Sequence, residues 1–199
     1  RSEETLRSTA SEVFRIIKHM QHEVWYKYPD AFYRLPDEMH FVDSEELLRR
    51  YPDLTPRERE DAITRELGCV FLMRIGDRLS NGEPHDGRAP DYDDWQLNGD
   101  ILFWYEPLQR ALEISSMGIR VDAVALRSQL QKAGCPERAE LPYHRAVLAD
   151  ELPFTIGGGI GQSRLCMLLL GRVHVGEVQA SIWPEDMVRA CEEHGVRLL

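Results

Sequence analysis

A chain of 199 residues with 43% hydrophobic and 29% charged side chains is long enough to bury one sizeable core, and its mixed charge argues against disorder. A net charge of -10 argues against a broad phosphate-binding surface, because such surfaces are built from clustered Lys and Arg, so an anionic ligand would have to meet a local, focused site. No apolar run approaches the length of a membrane span and no signal peptide opens the chain. Cys69, Cys135, Cys166 and Cys191 are scattered, without a C-x-x-C pair or a zinc-like His spacing, and read most simply as reduced core thiols of a cytoplasmic protein.

In chain order, Leu6, Val13, Phe14, Ile17, Met20 and Val24 recur at three- and four-residue steps and predict a helix from Ser2 to about Tyr26 with one buried face. The pattern already runs at Arg1, from which we expect that the chain begins inside a longer protein whose N-terminal part is missing. A linker past Pro29 and Pro36 leads to a short strand, Met39 to Val42. Asp43 with Glu46, and Thr55 with Pro56 and Glu58, carry N-capping chemistry for two helices, the second ended by Gly68. Cys69 to Ile75 reads as a buried strand. The polar segment Gly76 to Gly99 has no periodicity; segments of that kind are functional or mobile, and composition favours a solvated loop.

Asp100 to Tyr105 and Ala111 to Ser115 read as a hairpin. Asp122 caps a helix to about Ala133, closed by Gly134 and Pro136; a helical piece covers Pro142 to Ala149. Phe154 to Ile156 start a strand that continues through glycines into an apolar helix opened by Arg164 and running to Leu170. A last strand near Glu177 to Ile182 and a helix after Pro184 complete the chain. Strands that follow hairpins and irregular loops favour a mixed, mostly antiparallel sheet flanked by helices, an α/β (α+β) fold over residues 1–199 as a single domain.

Pro153 to Leu170, PFTIGGGIGQSRLCMLLL, is the stretch around which the rest is organised. Glycines weaken a strand unless something must lie close to its backbone. Neither common phosphate loop fits: no Lys-Ser/Thr pair follows, and Gln162 stands where a third glycine would fall. Asp100 and Glu113, acidic residues in otherwise apolar strands, can share a sheet face with these glycines. Two carboxylates, an arginine and a bare backbone suit a magnesium-bound triphosphate. Read alone, each carboxylate is equally a hydrogen-bonded strand residue, and Arg164 a salt-bridged surface side chain.

Gly157 to Arg164, GGGIGQSR, resembles the third signature motif of class II aminoacyl-tRNA synthetases. RAPDYDDW (Arg88 to Trp95), LNGDI (Leu97 to Ile101), ISSMGIRVD (Ile114 to Asp122), Glu151-Leu152-Pro153 and MHFVDSEELLRRYPDL (Met39 to Leu54) narrow the likeness to ammonia-dependent asparagine synthetases of the aspartate–ammonia ligase type. The resemblance implies a class II synthetase-like catalytic core, of which this chain is the C-terminal part. It further implies a cytoplasmic homodimer that converts L-aspartate, ATP and ammonia to L-asparagine, AMP and pyrophosphate through a β-aspartyl-adenylate, with Mg2+ and no nucleic-acid partner. Position by position, it implies Arg164 against the adenine and the bent triphosphate, and Asp100 and Glu113 holding magnesium and the phosphates. Gly157, Gly158, Gly159 and Gly161 then form the floor under the adenosine. Arg120, Ser116, Ser115 and Asp93 serve aspartate or ammonia, and Arg88 braces its loop or touches pyrophosphate.

Two features depart from the family pattern. The connection from Trp95 to Leu97 is short, and the N-terminal portion carrying the dimer motif, the second motif's Arg and several aspartate-binding residues is absent, so the chain alone is expected to lack a complete active site. The alternatives are an aspartyl- or asparaginyl-tRNA synthetase core and a non-catalytic, synthetase-like binding subunit. The acidic balance disfavours the first.

Overall fold

The first helix forms where its apolar residues align. In the computed structural model, which describes residues 1–31 and 33–199, α1 runs Glu3–Lys27 with Leu6, Ala10, Phe14 and Ile17 buried along one stripe, and the Ser2 side chain caps its start. The strand β1 (His40–Asp43) leads directly into α2 (Ser44–Arg50), whose cap is the Asp43 carboxylate accepting from Glu45 N. Next, α3 (Pro56–Leu67) opens on a capping box between Thr55 and Glu58 and stops at Gly68, whose φ of 79° a side chain would resist. The strands β2 (Cys69–Met73), β3 (Asp93–Tyr105) and β4 (Arg110–Arg120) follow, then α4 (Ala123–Lys132), α5 (Pro142–Leu148), β5 (Ile156–Ile160), α6 (Gln162–Leu170) and α7 (Glu185–Glu193).

These strands form one sheet in the order β1-β2-β3-β4-β5. The β1–β2 pair is parallel, as its crossover through α2 and α3 requires, and the other three pairs are antiparallel. The mostly antiparallel sheet flanked by helices is therefore as expected. One face carries the larger core, where Phe14 and Ile17 of α1 and Leu165, Leu168 and Leu169 of α6 meet Phe71, Ile101, Phe103 and Met117. On the other face, Leu47 of α2 and Ile63 of α3 pack on Val42, Val70, Leu72 and Leu102, so these helices cover the β1–β2–β3 side. A third cluster joins α4 to α5 around Leu126, Leu130 and Val147. No helix of the described residues is long and apolar enough to cross a membrane.

Several boundaries move. The hairpin strands are longer than composition suggests: β3 begins at Asp93 and β4 reaches Arg120. Part of the polar segment 76–99 is consequently not solvated, with His85, Asp93, Asp94, Trp95 and Asn98 all buried. Polar side chains hold it down. Asn98 bonds both Ile75 N and Ile75 O, Gln129 bonds Pro90 O, Asp93 O and Trp95 N, and the Trp95 indole donates to Ala89 O. Phe154 and Thr155 precede β5 rather than start it, and α6 opens at Gln162.

The last strand near Glu177 to Ile182 is absent among the described residues. The Glu177 carboxylate turns back to accept from Val173 N and His174 N, closing a short 3-10 turn, and Ile182 is 97% exposed. The four cysteines are free, but only Cys69 and Cys191 are core thiols; Cys166 is exposed because it falls on the outer side of α6.

Candidate functional site

Directly opposed residues of an antiparallel pair share a face. Asp100 opposes Ser116, Ile101 opposes Ser115, and Leu102 opposes Glu113, so β4 advances two residues where β3 advances one and Ile114 is the extra residue of a bulge. In a regular strand Glu113 and Ser116, three apart, would lie on opposite faces. The bulge brings Glu113, Ser116, Gly118 and Arg120 onto the face of Asp100. From β5, Gly159 opposes Ser116 and Gly157 opposes Gly118 on that same face. None of these residues is a large apolar group that a covering helix would bury.

At one end of this face sit Asp100, Glu113, Arg88 and Arg164. Arg88 donates to Asp100 Oδ2, whereas the buried Asp100 Oδ1 has no hydrogen-bond partner. Burial pushes the Asp100 carboxyl up to about 6; Arg88 and the Ser116 hydroxyl oppose that rise, and the Glu113 charge adds to it. Burial works against the Arg88 charge, but Asp100, Asp86 and Glu113 outweigh it and hold the guanidinium above its ordinary value. Arg164 donates to Glu113 O at 3.2 Å and lies 3.5 Å from the Glu113 carboxylate, with half of its side chain exposed. Arg164 and Glu113 border a cavity of about 500 Å³ that Arg57, Arg110, His85 and Asp86 also line.

At the other end, Arg120 bonds Asp93 Oδ1 at 2.5 Å and stacks over the Tyr92 ring, 5.4 Å from its centroid. Burial raises the Asp93 pKa against the pull of Arg120. Two glycines make room for this pair: a Cβ on Gly118 would lie 2.6 Å from Asp93 Cγ, and one on Gly157 would meet the Arg120 guanidinium well inside 3 Å. Arg120 and Tyr92 border a second cavity of about 450 Å³, with Tyr143, Phe154 and Thr155. Ser116 and Arg120, four residues apart on β4, place the two ends roughly 13 Å from each other at the strand rise.

The structure thus gathers Arg88, Asp93, Asp100, Glu113, Ser116, Arg120, Gly157, Gly159 and Arg164 along one face. It does not bring Ser115 or Gly158 there. Ser115 opposes Ile101 of the α1-side core and is buried, and Gly158 opposes Met117 of that core. Among Gly157, Gly158, Gly159 and Gly161, Gly159 is the one over which a Cβ would meet nothing within 4 Å; Gly157 serves Arg120, and Gly161 lies against the Arg164 side chain. Residue spacing does not single out His85, Glu60 or Tyr92. Gln129 carries a weak signal, as a polar residue in the apolar stripe of α4 beside Leu126 and Leu130.

Among the described residues no three His, Cys, Asp or Glu side chains gather to hold a metal. Asp100 and Glu113 nevertheless fit magnesium, which takes one or two carboxylates together with phosphate oxygens and water, and the unpartnered Asp100 Oδ1 is an oxygen donor left without a proton donor.

The family model described as aspartate-ammonia ligase matches residues 1–195. Proteins named aspartate–ammonia ligase from Limosilactobacillus reuteri and Limosilactobacillus fermentum are 64% and 66% identical over 200 residues, each match covering 100% of this chain and 60% of the relative. The chain thus spans about 60% of the length of the curated relatives it matches. Among solved structures, an asparaginyl-tRNA synthetase from Entamoeba histolytica in complex with asparaginyl-adenylate superimposes with a TM-score of 0.61 at 17% identity, over 90% of this chain and 43% of that one. An aspartyl-tRNA synthetase from the same organism gives 0.58 at 18% identity, over 87% and 39%. These likenesses identify the fold as that of class II synthetase cores.

Proposed function

The chain belongs to the aspartate–ammonia ligase family, and on that premise we propose that the protein carrying it makes L-asparagine from L-aspartate, ATP and ammonia, releasing AMP and pyrophosphate. The observation that carries this reading is the single glycine-floored face with an Arg–Asp pair at one end and two carboxylates with two arginines at the other. One end suits an α-amino acid and the other a nucleotide polyphosphate. A fold neighbour holds an aminoacyl-adenylate, which supports an adenylate as the intermediate.

Arg120 receives the α-carboxylate of aspartate, a planar match for its fork, while Asp93 holds the guanidinium in place. This directs the β-carboxylate toward Ser116 and Gly159. A β-carboxylate oxygen attacks the α-phosphorus, the bond to the pyrophosphate oxygen breaks, and β-aspartyl-adenylate forms. Negative charge that builds on the phosphate oxygens meets Arg88 and Arg164, which are already in place and need no reorganisation. Magnesium held by Asp100 and Glu113 would supply further charge neutralisation there. Ammonia then attacks the acyl carbon, and AMP leaves. Ammonium must first lose a proton, and Asp93, whose burial raises its basicity, is the acceptor we assign. We place the reaction in the cytoplasm, consistent with four free cysteines, and assign a homodimer on family resemblance.

The test is a product analysis of the protein that carries this chain. Aspartate, ATP, magnesium and ammonium are expected to yield equimolar asparagine and AMP, and aspartate alone is expected to support ATP–pyrophosphate exchange. Formation of ADP, or exchange that depends on asparagine rather than aspartate, would refute the proposal.

A further inference from the structure

Arg88 sits at the nucleotide end of the site, yet its backbone belongs to the long segment between β2 and β3, which contributes no strand of its own before Asp93. A guanidinium on such a segment is useful only if the chain on both sides is held. Downstream it is: Ala89 O accepts from the Trp95 indole and Pro90 O from Gln129. Upstream, the holding group is His85. Its side chain is fully buried, its Nε2 lies 2.9 Å from Glu60 Oε1, and its Nδ1 has no partner. The chain bends at His85 and Asp86, and Asp86 Oδ1 accepts from Gly87 N.

Glu60 lies on α3, and the next residue of that helix, Asp61, accepts from Ala111 N at 2.6 Å. Ala111 stands two residues before Glu113 on β4. Two consecutive carboxylates of one helix therefore hold both parts of the nucleotide end: the segment that bears Arg88 and the strand that bears Glu113. A histidine buried with one ring nitrogen unsatisfied costs stability, so a purely structural residue at this position would do better as an apolar one.

We infer that the His85–Glu60 pair is a positioning device that sets Arg88 on Asp100 for the nucleotide polyphosphate. The inference rests on the function proposed above. It concerns only the nucleotide end, because Arg120 and Asp93 are held separately through Gln129 and Tyr92.

The experiment compares His85→Ala, Glu60→Ala, Glu60→Gln and Arg88→Ala in the protein that carries this chain, by calorimetric binding of ATP with magnesium and by aspartate-dependent ATP–pyrophosphate exchange. Loss of a residue that orients a ligand-binding group costs about ten- to a hundredfold, so His85→Ala and Glu60→Ala are expected to weaken ATP by that factor with an unchanged KM for aspartate. Glu60→Gln, which keeps an oxygen to accept from Nε2, is expected to restore most of the affinity. In the Arg88→Ala background, His85→Ala is expected to add nothing, since its effect passes through Arg88. Losses that multiply in the double variant, or a KM for aspartate that rises equally, would overturn the inference while leaving the proposed function standing. A parent protein that binds no ATP would overturn both. Should His85→Ala fail to fold, Glu60→Ala and Glu60→Gln, at a partly exposed helix position, carry the same test.

Discussion

Gly159→Ala separates a glycine kept for a ligand from a glycine kept for the fold. The backbone there is not in the left-handed region and an added Cβ meets nothing within 4 Å, so the folded protein accepts the methyl group. Removing glycine's freedom in the unfolded chain stabilises by about 0.4–1 kcal/mol, which at roughly 2–4 °C per kcal/mol for a chain of this size raises Tm by about 1–4 °C. A ligand resting on the bare backbone at van der Waals distance is instead lifted by about 1.5 Å, one carbon–carbon bond, and a misplacement of 1 Å costs roughly a hundredfold in rate. Calorimetric melting and aspartate-dependent ATP–pyrophosphate exchange, measured on the same preparation, are therefore expected to move in opposite directions. Exchange at the parental rate would show that no ligand lies on Gly159, and a large fall in Tm would show that the space above it is not empty. Gly157→Ala is the control: its methyl displaces the end of Arg120, so the KM for aspartate rises rather than that for ATP.

Other perturbations read other parts of the site. Arg164→Ala removes a half-exposed side chain, so Tm is expected to stay within about 2 °C while the KM for ATP rises roughly ten- to a hundredfold, the worth of a charged hydrogen bond; unchanged ATP turnover would remove Arg164 from the site. Gln129→Ala breaks three buried hydrogen bonds worth about 1 kcal/mol each, and a drop in Tm of about 6–12 °C is expected; a drop under about 2 °C would mean that the loop is not held there. Asp100, with its carboxyl raised to about 6, binds a proton more readily folded than unfolded, so its contribution to stability falls as pH rises from about 4 to about 6 and is constant above. Urea unfolding of Asp100→Asn and parent protein should therefore diverge across that window by up to about 3 kcal/mol, the parent losing stability relative to the variant as pH rises. Parallel curves would show that Asp100 titrates normally.

Much of the fold follows from local chemistry. The apolar stripe of α1, the Thr55–Pro56–Glu58 capping box, the Asp122 cap and the buried run of β2 each act within a few residues, and each is found where those residues place it. The expected strand past Glu177 fails for the complementary reason. Glu177 uses its carboxylate to close a turn, a choice that the stretch after it does not record. Asp100 and Glu113 were legible as candidates because acidic residues are conspicuous in apolar strands, but their shared face depends on the bulge between them. The roles of His85, Glu60 and Gln129 were not, because each depends on a partner 25 or more positions away.

What the sequence determined by itself is the set of parts: most of the elements, the carboxylates, the arginines, and a glycine run that resembles a synthetase motif. Tertiary structure decided which of those parts meet. Side chains alternate across a strand with period two, so the bulge at Ile114 reverses the facing of Glu113 relative to the residues that follow it. That reversal puts Glu113 beside Ser116 and Asp100, while direct register with β3 sends Ser115 to the core and pairing with β5 sets Gly159 opposite Ser116 and Gly157 opposite Gly118, where it yields its space to Arg120. Whether a strand bulges depends on pairing with β3, a contact that no pattern within β4 records.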